Sequence, residues 1–400
     1  FKTAASRTMR RAVPCAAAGL CATGLAADEL LRRHLRAHGV AAGRGVSRLD
    51  VAVVLLKRRL EGSFFSAGLG SNLEAVGQAL RALKVTQPPA VEVHWRSGRE
   101  QRTSSLTGAS YWVRRGTFES PVAAVLPTGA REASFWQLQG TIPPNEQAKV
   151  DGLENSRLPF STYWLGVPIL DGLIDAAVRY LNAPSDGCRR PPAIEASEAL
   201  VLLPDFAGDF CKRTVPLAEA VAAARPNLPI YLLEMPMRGT RRPDGAKHGA
   251  VLDELASLAL MGCAAIDESR ALLRYLAEEL KPKVGLTLAG LSMGGHVASL
   301  AASCSPDVKR LALLLPAHSG EASWLDGGAM GLCCSMPADD MRPLLLEATN
   351  VESYPAPRAV ARATLVAGLR DAVVPFWSSE RCPMYSSSQR RRFRRQCVAR

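Results

Sequence analysis

Ser292 stands in Gly290-Leu291-Ser292-Met293-Gly294, a G-x-S-x-G pentapeptide. A serine at this spacing can act as a nucleophile when a sharp strand-to-helix turn carries it, because the small flanking residues let neighbouring segments come close. The pentapeptide alone is a weak signal, and its context strengthens it. The apolar run 284–289 reads as a strand entering the motif, and 295–300 continues as a helix. Such a turn puts the Ser292 hydroxyl at the C-terminal edge of a sheet, beneath the positive end of the following helix. The amide of Met293 then becomes one oxyanion donor. A glycine-rich phosphate-binding turn is the competing reading, but these glycines follow neither Walker nor dinucleotide spacing.

A second oxyanion donor is expected from the loop after an earlier strand. The run 199–203 ends in Pro204-Asp205-Phe206-Ala207-Gly208, so the amide of Phe206 or Ala207 is the candidate. The strand 364–367 leads to Asp371, the candidate acid that would orient a general base. In this order of parts a histidine should follow the acid. The six histidines are His34, His38, His94, His248, His296 and His318, and all precede Asp371. His296, four residues after Ser292 on the same helix, is not expected to reach back to the hydroxyl. His318 follows the strand 311–315 and is the only substitute base near the expected catalytic edge, although an exposed loop residue is the favoured reading. The triad base is therefore expected to be missing.

These residues need a scaffold, and the texture of the chain supplies one. Residues 28–85 read mainly as helical, with Leu73, Val76, Leu80 and Leu83 on one stripe. Short β-rich runs at 91–95 and 111–113 follow, then an apolar helical run at 165–181 and a turn-rich linker at 183–192. Beyond the linker, apolar runs at 199–203, 230–234, 284–289, 311–315 and 364–367 alternate with helical segments near 215–224, 252–280, 293–304 and 341–349. Continuous apolar strands alternating with helices predict a mostly parallel, doubly wound α/β sheet with helices on both faces. The division expected is a targeting or disordered N-terminus at 1–50 and a helical and mixed elaboration packed on the core at 51–197. The core itself spans 198–376, and a basic, disordered or aberrant tail 377–400.

The formal net charge of +12 sits at the ends. Residues 381–400 hold seven Arg and no acid, and residues 1–50 carry +6, leaving 51–380 near −1. A nucleic-acid-binding face would be basic within the folded domain, so no nucleic-acid partner is expected. The Arg-rich tail could meet an anionic membrane peripherally. The ten cysteines show no metal-ligand spacing, so no metal site and no cofactor are expected. Met9 followed by Arg10-Arg11 and an acid-free stretch to Ala27 fits a transit or signal peptide.

The sequence resembles the alpha/beta hydrolase domain-containing protein 18 family. The blocks are GTFESPVA (116–123), LPDFAGDF (203–210), LLEMPMRGTRRP (232–243), LALMGCAAIDESRALLRYL (258–276), GLSMGGHVASLAAS (290–303) and LRDAVVP (369–375). The resemblance implies an α/β-hydrolase fold, Ser292 as nucleophile and Asp371 as acid. It also implies a mitochondrial location, with the secretory pathway or a plastid as alternatives, and a phospholipid or other small-molecule ester as substrate. The family's closing Gly-Gly-His block has no counterpart, and Phe210 stands where its early loop carries His. Two functions are therefore carried forward. One is a serine hydrolase cleaving a carboxylic ester, such as that of a lipid or phospholipid, through an acyl-enzyme. The other is a catalytically impaired pseudo-hydrolase that binds lipid or protein.

Overall fold

The computed structural model describes residues 62–85, 87, 90–104, 108–141, 198–206, 214–243, 252–280, 285–326, 329–368, 371, 373–382 and 394–398. The N-terminal targeting stretch, the helical run at 165–181 and the linker after it lie outside the described residues.

The chain enters helix α1 (Leu73–Val85), whose Val76, Leu80 and Leu83 are buried at the predicted helical spacing. Strands β1 (His94–Trp95), β2 (Glu100–Thr103), β3 (Ser110–Glu119) and β4 (Glu132–Gly140) follow as an antiparallel group. Then come β5 (Glu198–Leu203), α2 (Thr214–Ala224), β6 (Ile230–Leu233), α3 (Leu255–Leu280) and β7 (Gly285–Leu291). After β7 the order is α4 (Met293–Ser303), β8 (Val308–Leu314), α5 (Gly320–Trp324), α6 (Ala338–Thr349), β9 (Arg362–Gly368), α7 (Phe376–Arg381) and β10 (Arg394–Val398).

All ten described strands join one sheet in the order β1-β3-β4-β6-β5-β7-β8-β9-β10, with β2 on β3. Pairing is antiparallel from β1 to the β4–β6 junction and parallel from there to β10. The strands read as unbroken apolar runs because both faces are covered. Ala199, Val201, Leu203, Leu286 and Leu288 face α1, α3 and α4, whereas Leu200, Leu202, Ile230, Leu232 and Leu291 face α2. Period-two alternation thus splits each run between two cores.

Two of the expected divisions can be set beside the described residues. Within 51–197, α1 packs its Val76, Leu80 and Leu83 into the core, while β1 to β4 continue the same sheet and Phe135 to Leu138 pair directly with β6. In the segment after 376 the described residues include two regular elements. Phe376–Arg381 is helical, and Arg394–Val398 runs parallel to β9, from Arg394 opposite Thr364 to Val398 opposite Gly368. An edge strand is held through main-chain N–H and C=O groups, so arginine-rich composition does not forbid it.

A buried ion pair ties the antiparallel margin to α3. Arg241 donates to both carboxylate oxygens of Glu268 at 2.7 and 2.6 Å, and also to the carbonyls of Glu234 (3.0 Å) and Ala130 (2.7 Å). Both charged groups are almost wholly buried. The planar guanidinium suits this role, since it serves a bidentate carboxylate and two carbonyls at once. Among the described residues no helix is long and apolar enough to cross a membrane.

Candidate active site

The turn between β7 and α4 holds Ser292 at φ 55°, ψ −117°, in backbone geometry that a residue with a Cβ rarely adopts. Its amide donates to the Leu314 carbonyl at 2.7 Å, and its carbonyl accepts from the His296 amide at 3.0 Å. Its hydroxyl makes no capping bond to α4 and so is not consumed by the helix.

The flanking glycines have distinct steric reasons. A Cβ on Gly290 would run into the Gly294 carbonyl, and one on Gly294 would strike the carbonyls of Leu203 and Pro204. Gly294 therefore draws the end of β5, with the loop carrying Phe206, against the elbow. Gly294→Ala is expected to cost about 3 kcal/mol, since the obstructing atoms are backbone and cannot rotate away. Urea denaturation reads this, and a loss below about 0.5 kcal/mol would show that the contact is not tight.

Ser292 and Met293 open onto a cavity of about 110 Å³. Its walls are mostly apolar, with Phe206, Leu258, Ile266, Trp324, Met330 and Val374 prominent. Phe206 is itself covered by the Arg238 guanidinium, 4.7 Å above its ring. Ala207, the other expected donor, lies outside the described residues.

Asp371 follows β9, two strands from β7, on the same C-terminal edge of the parallel sheet. Its Oδ1 accepts from the amides of Val373 (2.8 Å) and Val374 (3.0 Å). Those two residues line the cavity with Ser292, so the Asp371 turn forms part of the wall.

The histidines are arranged differently from expectation. His318 is buried, not an exposed loop residue. Helix α7 covers it: the His318 amide donates to Ser378 Oγ at 3.0 Å, and Nδ1 lies 2.9 Å from the same oxygen. The Trp377 ring packs at 5.4 Å, and Nε2 sits 3.4 Å from Ser319 Oγ. With the amide donating into Ser378, the hydroxyl proton is best directed to Nδ1, which leaves Nε2 as the protonated nitrogen. Both ring nitrogens are thereby engaged.

His296 lines the cavity, and its Nδ1 donates to the Ala317 carbonyl at 2.9 Å. Its Nε2 is buried without a partner. Burial holds His296 below the usual histidine range. His94 lies on β1 at the antiparallel margin, and His34, His38 and His248 lie outside the described residues.

Burial, with smaller contributions from Arg381 and His296, pushes His318 down to about 4. The folded value lies below the ordinary 6.5, so the unfolded chain binds the proton more readily. The stability contributed by neutral His318 is complete above about pH 6.5 and is lost as pH falls toward 4. Melting between pH 7 and 4.5 should show this decline, and His318→Asn should flatten it. An unchanged slope in that variant would remove His318 from the account.

Sequence reasoning missed the aromatic cluster behind the cavity. Trp324 lies within 5.0–5.7 Å, ring to ring, of Phe64, Phe65 and Phe206. These residues come from three separate parts of the chain, and no local spacing announces them.

Residues 209–331 match the family described as alpha/beta hydrolase domain containing 18. The matched segment carries Ser292, Met293, α3, α4 and Trp324, whereas Phe206 and Asp371 lie outside it. A mostly parallel, doubly wound sheet with a sharp strand-to-helix turn after β7 is the α/β-hydrolase arrangement, and that is the fold of this chain. Among solved structures, acetyl xylan esterase 1 from Thermoanaerobacterium sp. JW/SL YS485 is similar at 11% identity and a TM-score of 0.44, covering 86% of this chain and 90% of that one. The acetyl xylan esterase from Paenibacillus sp. R4 is similar at 12% identity and a TM-score of 0.42, with 82% and 86% covered. A cold-adapted esterase from an Arctic intertidal metagenomic library is similar at 12% identity and a TM-score of 0.39, with 76% and 89% covered.

Proposed function

We propose that this alpha/beta hydrolase domain containing 18 relative is a serine hydrolase of carboxylic esters with an apolar acyl group, a phospholipid ester among them. One observation carries the reading: Ser292 sits in strained elbow geometry, its hydroxyl uncommitted to helix capping, at the wall of a mostly apolar cavity. Strain retained at one residue of a well-packed turn marks a functional position.

In this reading Ser292 Oγ attacks the ester carbonyl and gives up its proton to a base. The carbonyl becomes an oxyanion held by the amides of Met293 and of Phe206 or Ala207. The C–O bond breaks, the alcohol leaves with a proton, and water hydrolyses the acyl-enzyme by the reverse sequence. Asp371 is the group that would orient the base. No described histidine is assigned as that base, because His318 has both nitrogens engaged and His296 shares the elbow helix with the nucleophile.

That no described histidine is assigned as the base favours a second reading, in which the cavity binds an apolar ligand with little turnover. A fluorophosphonate probe and a panel of p-nitrophenyl esters separate the two. Adduct formation on the Ser292 peptide with ester turnover supports the hydrolase. An unlabelled Ser292 in folded protein that still binds fatty alcohols supports the binding module.

A further inference from the structure

Residues 62–70 run across the molecule as a strap. The Phe64 amide donates to the Cys333 carbonyl at 2.7 Å, and the Ser335 amide returns a bond to the Phe64 carbonyl at 2.9 Å. On the other side the amides of Phe65 and Ala67 donate to the carbonyls of Leu252 and Asp253, each at 2.8 Å. The amides of Leu255 and Ala256 donate back to the carbonyls of Gly68 (3.1 Å) and Leu69 (3.0 Å). Ser66 Oγ adds a bond to Asp253 Oδ1 at 2.9 Å. The strap thus stitches the start of α3 to the 333–335 turn. Both neighbourhoods border the cavity, through Leu258 and Ile266 on one side and Met330 on the other.

Phe64 and Phe65 are each about 1% exposed. Phe64 meets Phe206 at 5.8 Å and Trp324 at 5.0 Å, and Phe65 meets Trp324 at 5.1 Å. Phe206 and Trp324 line the cavity, while Phe64 and Phe65 do not. The strap's two rings therefore stand behind the two rings that ligand would touch. Phe65 reaches this position at φ 58°, a strained angle for a residue with a Cβ. Six backbone bonds and the packed rings outweigh that strain and hold it in place.

We infer that Phe64 and Phe65 brace the aromatic wall of the cavity and set the longest acyl chain that the site accepts. The inference deepens the hydrolase reading, in which this cavity holds the acyl group. Both are positioning residues, acting through Phe206 and Trp324. Removing the Phe64 ring would leave space behind both wall rings, which can then retreat and lengthen the cavity.

The test is Phe64→Ala in the full chain, with its fold checked by circular dichroism. The kcat/KM ratio for p-nitrophenyl dodecanoate over p-nitrophenyl hexanoate is expected to rise about tenfold, the scale of discrimination that apolar pockets reach for methylenes. Calorimetric Kd values for dodecanol and hexanol should shift in the same sense, and this readout needs no turnover. Phe64→Leu, the milder change, is expected to move both ratios in the same direction by a smaller factor, and it stands in if the alanine variant fails to fold. A binding ratio that is unchanged or lowered in a folded variant overturns the strap's role. Absent turnover with the binding shift intact overturns the hydrolase reading and leaves the strap standing.

Discussion

Ser292→Ala is expected to abolish fluorophosphonate labelling and to lower kcat/KM for apolar esters by about 10⁴-fold or more. The loss follows from deleting the attacking oxygen while leaving cavity and amide donors in place, so KM should change far less than kcat. Only the background acceleration from oxyanion stabilisation and binding would remain. Stability should barely move, because alanine keeps the Cβ that strains φ 55°. Ser292→Gly separates the two effects: it removes the oxygen and the strain together. It should be as inactive as the alanine variant, yet more stable by about 1 kcal/mol. Elbow strain retained at the cost of stability is what a functional turn requires. An alanine variant that hydrolyses esters at the wild-type rate would move the nucleophile elsewhere.

Glu268→Ala should be the most damaging single change to stability, at about 3–5 kcal/mol. Its carboxylate is the bidentate partner of Arg241, and neither group reaches solvent. Truncation leaves a guanidinium buried with only the carbonyls of Ala130 and Glu234 for company. The joint replacement Arg241→Met with Glu268→Leu should recover much of the loss, since removing both charges removes the desolvation penalty as well. Chemical denaturation of the two variants distinguishes an uncompensated charge from simple loss of volume. If Glu268→Ala lies within about 1 kcal/mol of wild type, the pair is not a structural tie. Because Arg241 holds the turn before β4, the alanine variant should loosen the antiparallel margin before the parallel strands, which amide hydrogen exchange would resolve.

How much of this was legible beforehand depends on whether a feature is local. The stripe Leu73, Val76, Leu80 and Leu83 announced α1, because helical burial repeats within a few residues; its last three members are buried, while Leu73 at the helix start is exposed. The unbroken apolar runs announced the covered strands to within a few residues at each end. The elbow was visible because strand, glycines, serine and helix are contiguous in the chain. What escaped was assembled across the chain. Strand β4 was unmarked because it mixes buried Ala133, Phe135 and Leu138 with polar neighbours. Strand β10 escaped because edge pairing depends on backbone, which composition does not report.

The misplacement of His318 came from the same source. Read alone, a histidine after a strand looks exposed. It is buried because α7, 60 residues further on, brings Ser378 over it. The chain by itself determined an α/β architecture, a serine held between glycines, and the order in which the loop after β5, the Ser292 turn and the Asp371 turn occur, since each is written in contiguous residues. Tertiary structure alone decided which histidines are buried, which aromatic rings wall the cavity, and how Arg241 meets Glu268. Those outcomes are set by burial and by contacts between distant segments, and burial is a property of the packed molecule.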